Sequence, residues 1–274
     1  MQDKVVVILS VYNKEKTEYF RQSVDSVLQQ SYSLIELFIG VDGPVGEELK
    51  NAIASYEEDP RVRVFWFSEN RGLAKVLNDL LNECFKEGVN YIARMDSDDI
   101  ALPERLYLQM DYLKNNPNVD LVGGAINEID EYGNDYHHVV KFPTTSQECK
   151  NFFSKRNPFA HPTVLFRRSF FDKTQCLYPE EYVRNEDTAL WLEGFKHAAI
   201  GANLQEVVLN FRVTDAMFKS RRNGASFAKS QYRLRKKINK ELEYGMGAKI
   251  YAILMFLFMV SPYGIKKIAY RIFR

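Results

Sequence analysis

The sequence has few cysteines and no cysteine pair at metal-binding spacing. Its 274 residues include three, Cys84, Cys149 and Cys176, which lie far apart. Disulfide frameworks and structural zinc sites need clustered or paired cysteines. The scarcity excludes both kinds of stabilisation and indicates a reducing compartment.

Long hydrophobic segments are also missing. The longest apolar run, Ile250–Val260, has eleven residues. As a helix it would extend about 16 Å, about half of a bilayer core, so it is too short to cross a membrane. The N-terminal stretch Met1–Asn13 carries an acidic Asp3 and only a short apolar run. This stretch is predicted to be a first strand and not a signal peptide.

The sequence has little net charge, but the two signs are separated along the chain. The formal net charge is +1, yet 14 Lys and Arg against 2 Asp and Glu follow from Lys219 onward. The first 218 residues hold 23 basic and 34 acidic side chains, a net charge of −11. We therefore divide the chain into a globular domain, residues 1–218, and a basic, amphipathic helical segment, residues 219–274.

Strand-like and helical patterns alternate through the first hundred residues, which predicts an α/β fold with a mostly parallel, doubly wound sheet and flanking helices. The predicted strands are Val5–Val11, Leu34–Val41, Val62–Phe67 and Tyr91–Met95, and the predicted helices between them centre on residues 20–28, Glu47–Tyr56 and Leu73–Cys84.

The later pattern is less regular, and after Pro143 the alternation of strands and helices breaks. The later assignments are a helix at Pro103–Leu113, a strand at Leu121–Ile126, a hairpin turn at Tyr132–Asn134, a strand at Val164–Phe166, a helix opening at Glu186, strands at Ala198–Leu204 and Val207–Val213, and a basic helix at Ser226–Glu243.

Three carboxylates follow the fourth predicted strand within four residues: Asp96, Asp98 and Asp99. Carboxylates this close repel one another unless a cation shares their charge, and hard oxygen ligands suit Mg²⁺ or Mn²⁺ bound to a substrate phosphate. In a strand, Asp96 and Asp98 point to one side and Asp99 points away. The alternative is a solvated acidic turn whose last aspartate caps a helix at Pro103.

Polar residues follow the other strands too, and parallel strands bring their carboxyl ends to one edge of a sheet. These residues are Tyr12-Asn13, Asp42 and Asn70-Arg71. A second acidic pair, Glu186-Asp187, opens a helix, where the helix dipole alone would favour it.

The order of these motifs resembles that of the inverting, nucleotide-sugar-dependent glycosyltransferases of family 2, which have the GT-A fold. The resemblance covers roughly residues 4–215 and is greatest to bacterial members that build O-antigen, capsule or exopolysaccharide. The matching segments are Ser10–Asn13, Asp42-Gly43, Asn70–Gly72, Met95–Asp99, His161–Thr163 and Glu186-Asp187.

The resemblance implies roles for individual residues. It implies that Asp42 holds the uracil ring, that Asp98 binds Mn²⁺ or Mg²⁺, that Asp96 contacts ribose or the metal, and that Asp187 is the general base. Further donor- or acceptor-binding candidates are Val11, Tyr12, Asn13, Asn70, Arg71, Ser97, His161 and Glu186.

Two of these candidates have structural alternatives, and one motif of the family is incomplete. Arg71 could bind phosphate or form a surface ion pair, and His161 could contact the acceptor or be a hydrogen-bonded structural residue. Many relatives carry Arg-x-His near the domain end, where this chain has Arg212-Val213-Thr214. A histidine contact to the diphosphate or metal is therefore not expected there.

The resulting expectation is transfer of glucose or galactose from a UDP-sugar to a lipid-diphosphate-linked glycan, with formation of a β-linkage. The basic segment is expected either to lie on an anionic membrane or to pack on the domain, and the protein to be peripheral on the cytoplasmic face. Three other protein classes fit the sequence less well. A sugar-nucleotide nucleotidyltransferase would have a Gly-rich loop after the first strand, a non-catalytic scaffold would lack Asp98 or Asp187, and a nucleic-acid binder would not carry the apolar run beside its cations.

Overall fold

The computed structural model describes residues 3–214 and 225–261 of the chain, in which helices and strands alternate. In chain order they are β1 (Val5–Val11), α1 (Thr17–Leu28), β2 (Ile35–Val41), α2 (Glu47–Tyr56), β3 (Val62–Trp66), α3 (Leu73–Lys86), β4 (Tyr91–Asp96), β5 (Ile100–Ala101), α4 (Arg105–Asn115), β6 (Leu121–Ile129), β7 (Asp135–Val140), α5 (Ser146–Phe153), a 3₁₀ turn (His161–Thr163), β8 (Leu165–Arg167), α6 (Ser169–Thr174), α7 (Glu186–Lys196), β9 (Gly201–Arg212), α8 (Ala225–Glu241) and α9 (Met246–Val260).

The first four long strands form the parallel half of one sheet, in the order β3-β2-β1-β4. Strand β1 lies at its centre, and Ser10 is opposite Gly40 of β2 on one side and Asp96 of β4 on the other. Residues 5–9 are all buried, because helices cover both faces of this sheet. The predicted parallel α/β fold is therefore confirmed, and β2, β1 and β4 end at one edge.

The second half of the sheet curls and mixes directions. Strand β8 joins β4 to β6 by antiparallel pairing, whereas β6 pairs with β9 in parallel. The short β5 then pairs antiparallel with the far end of β9. This last pairing brings the segment just after β4 back against Arg212, the last residue of β9.

Two sequence assignments differ from the structure in this half. The runs Ala198–Leu204 and Val207–Val213 form one strand, β9, because irregular register against β6 at Gly123 and Ala125 lets the pairing continue past the polar Gln205-Glu206. The helix expected from Pro103 begins at Arg105 instead, since Ile100–Ala101 pairs as a strand and delays the first helical turn.

Within residues 225–261, the basic segment forms two helices that pack on each other and on the domain. Leu234 and Ile238 of α8 are buried in the same apolar cluster as Trp191 of α7. The rings of Tyr232 in α8 and Phe256 in α9 have centroids 5.3 Å apart. Part of the segment therefore packs on the domain, which is one of the two arrangements expected from the sequence. The stretch 263–274 lies outside the described residues.

No helix in residues 3–214 or 225–261 is both long enough and apolar enough to span a bilayer.

Candidate active site

The three aspartates after β4 lie together. One carboxylate oxygen from each of Asp96, Asp98 and Asp99 falls within 4.8 Å of the other two. Asp96 and Asp98 are partly exposed, whereas Asp99 is 1% exposed. Burial, and then the charges of Asp98 and Asp96, raise the pKa of Asp99 well above its usual range. Such a cluster is strained without positive charge, which is the condition that favours a cation.

The donor set fits Mg²⁺ or Mn²⁺. All three groups offer hard carboxylate oxygens, and Oδ2 of Asp99 is buried without a hydrogen-bond partner among the described residues. The other oxygen of Asp99 accepts the backbone N–H of Arg212 at 2.8 Å. The alternative in which Asp99 caps a helix is therefore wrong, because this side chain is bound to β9 and the helix starts later.

Two arginines from different strands meet the aspartate loop. Arg94, on β4, forms an ion pair with Asp96 and is 2% exposed. Arg212 donates from Nε to the backbone oxygen of Asp98 at 2.8 Å. Its guanidinium also donates to Gln22 at 2.6 Å and lies 4.1 Å from the ring centroid of Tyr19. The loop is thus fixed by its own strand and by the end of β9.

On the other side of β1, Asp42 organises the loop that carries Asn70 and Arg71. Its carboxylate accepts the backbone N–H groups of Arg71 at 2.7 Å and Gly72 at 3.0 Å, and Asn70 Nδ2 donates to its backbone oxygen at 3.1 Å. Gly72 has φ +92°, a conformation that glycine adopts without strain. Asp42 is 4% exposed, and each of its carboxylate oxygens already accepts one hydrogen bond. A ligand contact would therefore use the remaining lone pairs of these oxygens.

Arg71 adopts the surface ion pair that the sequence left open. Its guanidinium pairs with Asp79 of α3 and lies 4.1 Å from the ring centroid of Phe67. In this arrangement the guanidinium of Arg71 lies beside α3. A phosphate contact would require the side chain to leave Asp79.

The remaining candidates on this edge sit at the ends of β1 and β4. Asn13 accepts the backbone N–H of Gly46 at 3.1 Å, and Ser97 donates to Glu15. Val11 is fully buried, and its backbone oxygen accepts the N–H of Asp42 at 2.8 Å. Tyr12 is partly exposed beside it. These contacts tie the loop after β1 to the loops after β2 and β4.

The acidic pair opens α7, as predicted, and its two members have different surroundings. Asp187 is partly exposed and accepts from Asn157 Nδ2 at 3.0 Å and from the Thr188 backbone N–H at 2.6 Å. Glu186 is 9% exposed. Burial, followed by the charge of Asp187, raises the pKa of Glu186 to about 7, and burial also raises the pKa of Asp187. Carboxyl groups with raised pKa values suit proton transfer near neutral pH.

His161 packs against α7, the helix that begins with this acidic pair. Its Nε2 lies 2.8 Å from the hydroxyl of Tyr178, and its ring packs edge-on against Tyr178 and Trp191. Burial, and then the charge of Arg94, lower the pKa of His161 well below its usual range, so the ring is neutral. This is the hydrogen-bonded structural environment that the sequence allowed, and an acceptor contact stays a prediction.

Several residues that contact the candidates were not predicted as site residues. Arg94 gave a signal, since a lone arginine in an apolar strand two residues before Asp96 is unusual. Asn157 and Tyr178 gave none, because they reach Asp187 and His161 from loops far along the chain.

Comparison with known proteins decides the family. The sequence model described as Glycosyl transferase family 2 matches residues 6–174. The chain belongs to glycosyl transferase family 2. The expected GT-A fold agrees with the family, and the match covers all the aspartates after β4 but ends before Glu186.

Curated family members resemble most of the chain. The amylovoran biosynthesis glycosyltransferase AmsE of Erwinia amylovora is 34% identical over 228 residues, 83% of each chain. The O-antigen biosynthesis glycosyltransferase WbnJ of Escherichia coli is 34% identical, with 77% of this chain and 80% of WbnJ covered. An E. coli UDP-Gal:alpha-D-GlcNAc-diphosphoundecaprenol beta-1,3-galactosyltransferase is 28% identical, with 83% and 80% covered.

Solved structures share the fold at low sequence identity. Residues 1–349 of S. aureus TarS in complex with UDP-GlcNAc superpose with a TM-score of 0.65 at 14% identity, over 94% of this chain and 82% of that one. The Pyrobaculum calidifontis mannosyltransferase PcManGT, in complex with GDP-Man and Mn²⁺, gives 0.61 at 15% identity, over 98% and 74%. The chain spans 43% of the longer TarS structure.

The raised pKa of Glu186 predicts a pH-dependent effect of Glu186→Gln on stability. The folded protein holds this proton to about pH 7, whereas the unfolded chain releases it near its usual 4.5, so wild-type stability falls as the pH rises between these values. Glu186→Gln removes that loss, and its stability relative to wild type should improve by ~2 kcal/mol from pH 5 to pH 8. Urea denaturation at both pH values measures the difference.

The matched control is Glu206→Gln, which removes an exposed carboxylate from β9. Its stability relative to wild type should be equal at the two pH values. Equal behaviour of Glu186→Gln would show that Glu186 is ionised alike in both states.

Proposed function

We propose that the protein is an inverting glycosyltransferase that moves a hexose, glucose or galactose, from a UDP-sugar to a lipid-diphosphate-linked sugar. The product is a β-linkage in a bacterial surface polysaccharide. The observation that carries this proposal is the aspartate cluster beside an acidic pair with raised pKa values. The specificity named for the E. coli galactosyltransferase relative and the UDP-GlcNAc bound to TarS support the substrate classes.

On the donor side, the chain presents the loops after β1, β2, β3 and β4. Asp42, with its remaining lone pairs, would accept the imide N–H of uracil, and Asp96 would contact the ribose or the cation. Asp98 and Asp96 would hold Mn²⁺ or Mg²⁺, which when bound neutralises charge on the departing diphosphate. Arg94 holds Asp96 in place for this role.

On the acceptor side, Asp187 would be the general base. It removes the proton of the acceptor hydroxyl while that oxygen bonds to the anomeric carbon and the bond to the UDP oxygen breaks on the opposite face. The proton passes to Asp187, and the electron pair of the broken bond leaves with UDP. Asp187 suits this role better than Glu186 because it is more exposed and is oriented by Asn157 and Thr188.

Transfer from UDP-glucose and UDP-galactose to lipid-diphosphate-linked GlcNAc and GalNAc analogues tests this function, with the product linkage determined by NMR. We expect a β-linked product with Mn²⁺ or Mg²⁺ present and none after addition of EDTA. Asp98→Ala should lower turnover at least about a thousandfold, because the cation supplies several kcal/mol of charge stabilisation.

Asp111→Ala is the control, since this aspartate lies on the exposed side of α4. Full activity in EDTA, or equal activity of Asp98→Ala and Asp111→Ala, would refute the metal assignment.

Asp187→Asn should lower turnover by roughly 10²–10⁴-fold while UDP affinity stays near that of wild type. The substitution keeps the shape and the acceptor oxygen for Thr188, removes the basicity, and places an amide nitrogen where Asp187 accepts from Asn157 Nδ2. Steady-state kinetics and UDP titration calorimetry measure the two effects. A fall in UDP affinity as large as the fall in turnover would place Asp187 in the donor site.

We also propose that α8 and α9 dock the enzyme on the cytoplasmic face of an anionic membrane, where a lipid-linked acceptor would reside. Apolar side chains spaced along α9 are 45–68% exposed: Met246, Ile250, Ile253, Leu254, Leu257 and Val260. Cations at spacings of four, three and four residues are exposed along α8: Lys229, Arg233, Lys236 and Lys240.

The apolar row on α9 and the cationic row on α8 both suit a position in the membrane interface. The two helices pack on each other, so an apolar surface and a cationic surface lie in one unit. Burial of half-exposed leucine and isoleucine side chains in the bilayer interface is favourable, and each cation near an anionic leaflet contributes about 1 kcal/mol. A peripheral helix needs both contributions for firm binding.

Replacement of Ile250, Leu254 and Leu257 by serine should therefore weaken binding to phosphatidylglycerol vesicles at least about tenfold, as measured by flotation. Transfer to a short, water-soluble acceptor should change little. The control replaces exposed apolar residues elsewhere on the domain by serine: Leu34, Val139 and Val183. Equal flotation of the two triple variants would show that α9 is not the anchor.

A further inference from the structure

Arg94 is a charged residue in the buried interior of the domain. Its side chain is 2% exposed and follows Ile92 on the face of β4 that packs against α3 and α7. Burial of a guanidinium costs several kcal/mol unless charge and hydrogen bonds compensate. Nη2 pairs with Asp96, but Nε and Nη1 are buried without a partner among the described residues. Strand stability alone gives no reason for such a group.

The surroundings of Arg94 connect the two halves of the candidate site. Its charge acts on the pKa values of groups from the loop after β4, the 3₁₀ turn, the loop before α7, α7 itself and α4. These groups are Asp99, His161, Tyr178, Glu186, Asp187 and Arg105. One buried cation thus lies within electrostatic reach of both the aspartate loop and the acidic pair.

The backbone around Arg94 is held on both sides. Its N–H donates to the oxygen of Val164 at 2.9 Å, and its carbonyl accepts from Nη2 of Arg105 at 2.7 Å. Arg105 is itself buried, and its Nε donates to Gln109 at 3.2 Å. Gln109 in turn donates to the oxygens of Val122 and Thr163 at 3.0 and 2.7 Å. These hydrogen bonds therefore fix the backbone from which the Arg94 side chain extends.

We propose that Arg94 is a positioning residue for the transfer reaction: it fixes the Asp96 carboxylate toward the divalent cation and supplies the buried positive charge shared by the aspartate loop and the Glu186-Asp187 pair. The inference rests on the proposed function for its reaction. Its first half concerns cation binding and does not depend on any acceptor. A planar guanidinium keeps its donors in fixed directions, which makes arginine better suited than the flexible ammonium of lysine to orient a carboxylate.

The test compares Arg94→Met and Arg94→Lys with wild type. Electron paramagnetic resonance of free Mn²⁺ gives Mn²⁺ affinity in the presence of UDP, and steady-state assays give turnover. We expect Arg94→Met to weaken Mn²⁺ binding at least about tenfold and to lower turnover at least about a hundredfold. Arg94→Lys, which keeps the charge and loses the fork, should lie between Arg94→Met and wild type in both measurements.

The matched control is Arg167→Met on the neighbouring β8. Arg167 also donates from three nitrogens, to Val119, Tyr91 and Leu113, and none of these three partners is a candidate site residue. It should lower the melting temperature and leave Mn²⁺ affinity and turnover of the folded protein near wild type.

Arg94→Met behaving like Arg167→Met, with both values within about threefold of wild type, would overturn the proposal. If Arg94→Met does not fold, Arg94→Lys decides: unchanged Mn²⁺ affinity and turnover overturn the proposal, and a loss of at least about threefold in Mn²⁺ affinity supports it. A wild type that binds Mn²⁺ with UDP but transfers no sugar would refute the proposed function and leave the Mn²⁺ comparison valid.

Discussion

The site depends on the clustered carboxylates at the end of β4 and on the two arginines that hold them in place. Three carboxylates within four residues would repel one another and disfavour a tight loop. Arg94, on β4 itself, forms an ion pair with Asp96. Arg212, on β9, donates its backbone N–H to the Asp99 carboxylate and its guanidinium to the backbone oxygen of Asp98. Each contact comes from a different part of the sheet, so the loop keeps its shape only when both halves of the sheet have formed.

Parallel pairing explains why the other loops lie beside this one. Strands β2, β1 and β4 are in register, so their carboxyl ends reach one edge together. The loops are then joined by polar contacts between them, such as Asp42 with the backbone of Arg71 and Asn13 with Gly46. A rigid sheet with polar loops at one edge is the usual way in which α/β proteins bind nucleotides. Membership of glycosyl transferase family 2 agrees with that arrangement.

Helix α8 connects the outer surface to the acidic pair. Its buried face packs beside α7, and Gln231 donates to Asn185, the residue just before Glu186. Its opposite face carries the exposed cations, and α9 packs alongside with its apolar row outward. The helix that would face a lipid surface therefore also supports the start of the helix with the proposed base.

The sequence by itself determined the order of the elements, the family, and the segments that carry the aspartates, the acidic pair and the basic helices. These features are local, because hydrophobic periodicity, turn residues and clustered charges act over a few positions. The tertiary structure alone decided that Arg71 pairs with Asp79, that β9 is one strand, and that Arg94 lies between Asp96 and the acidic pair. Those outcomes depend on which distant segments meet across the sheet. Strand register and packing fix that choice, and no short stretch of sequence contains it.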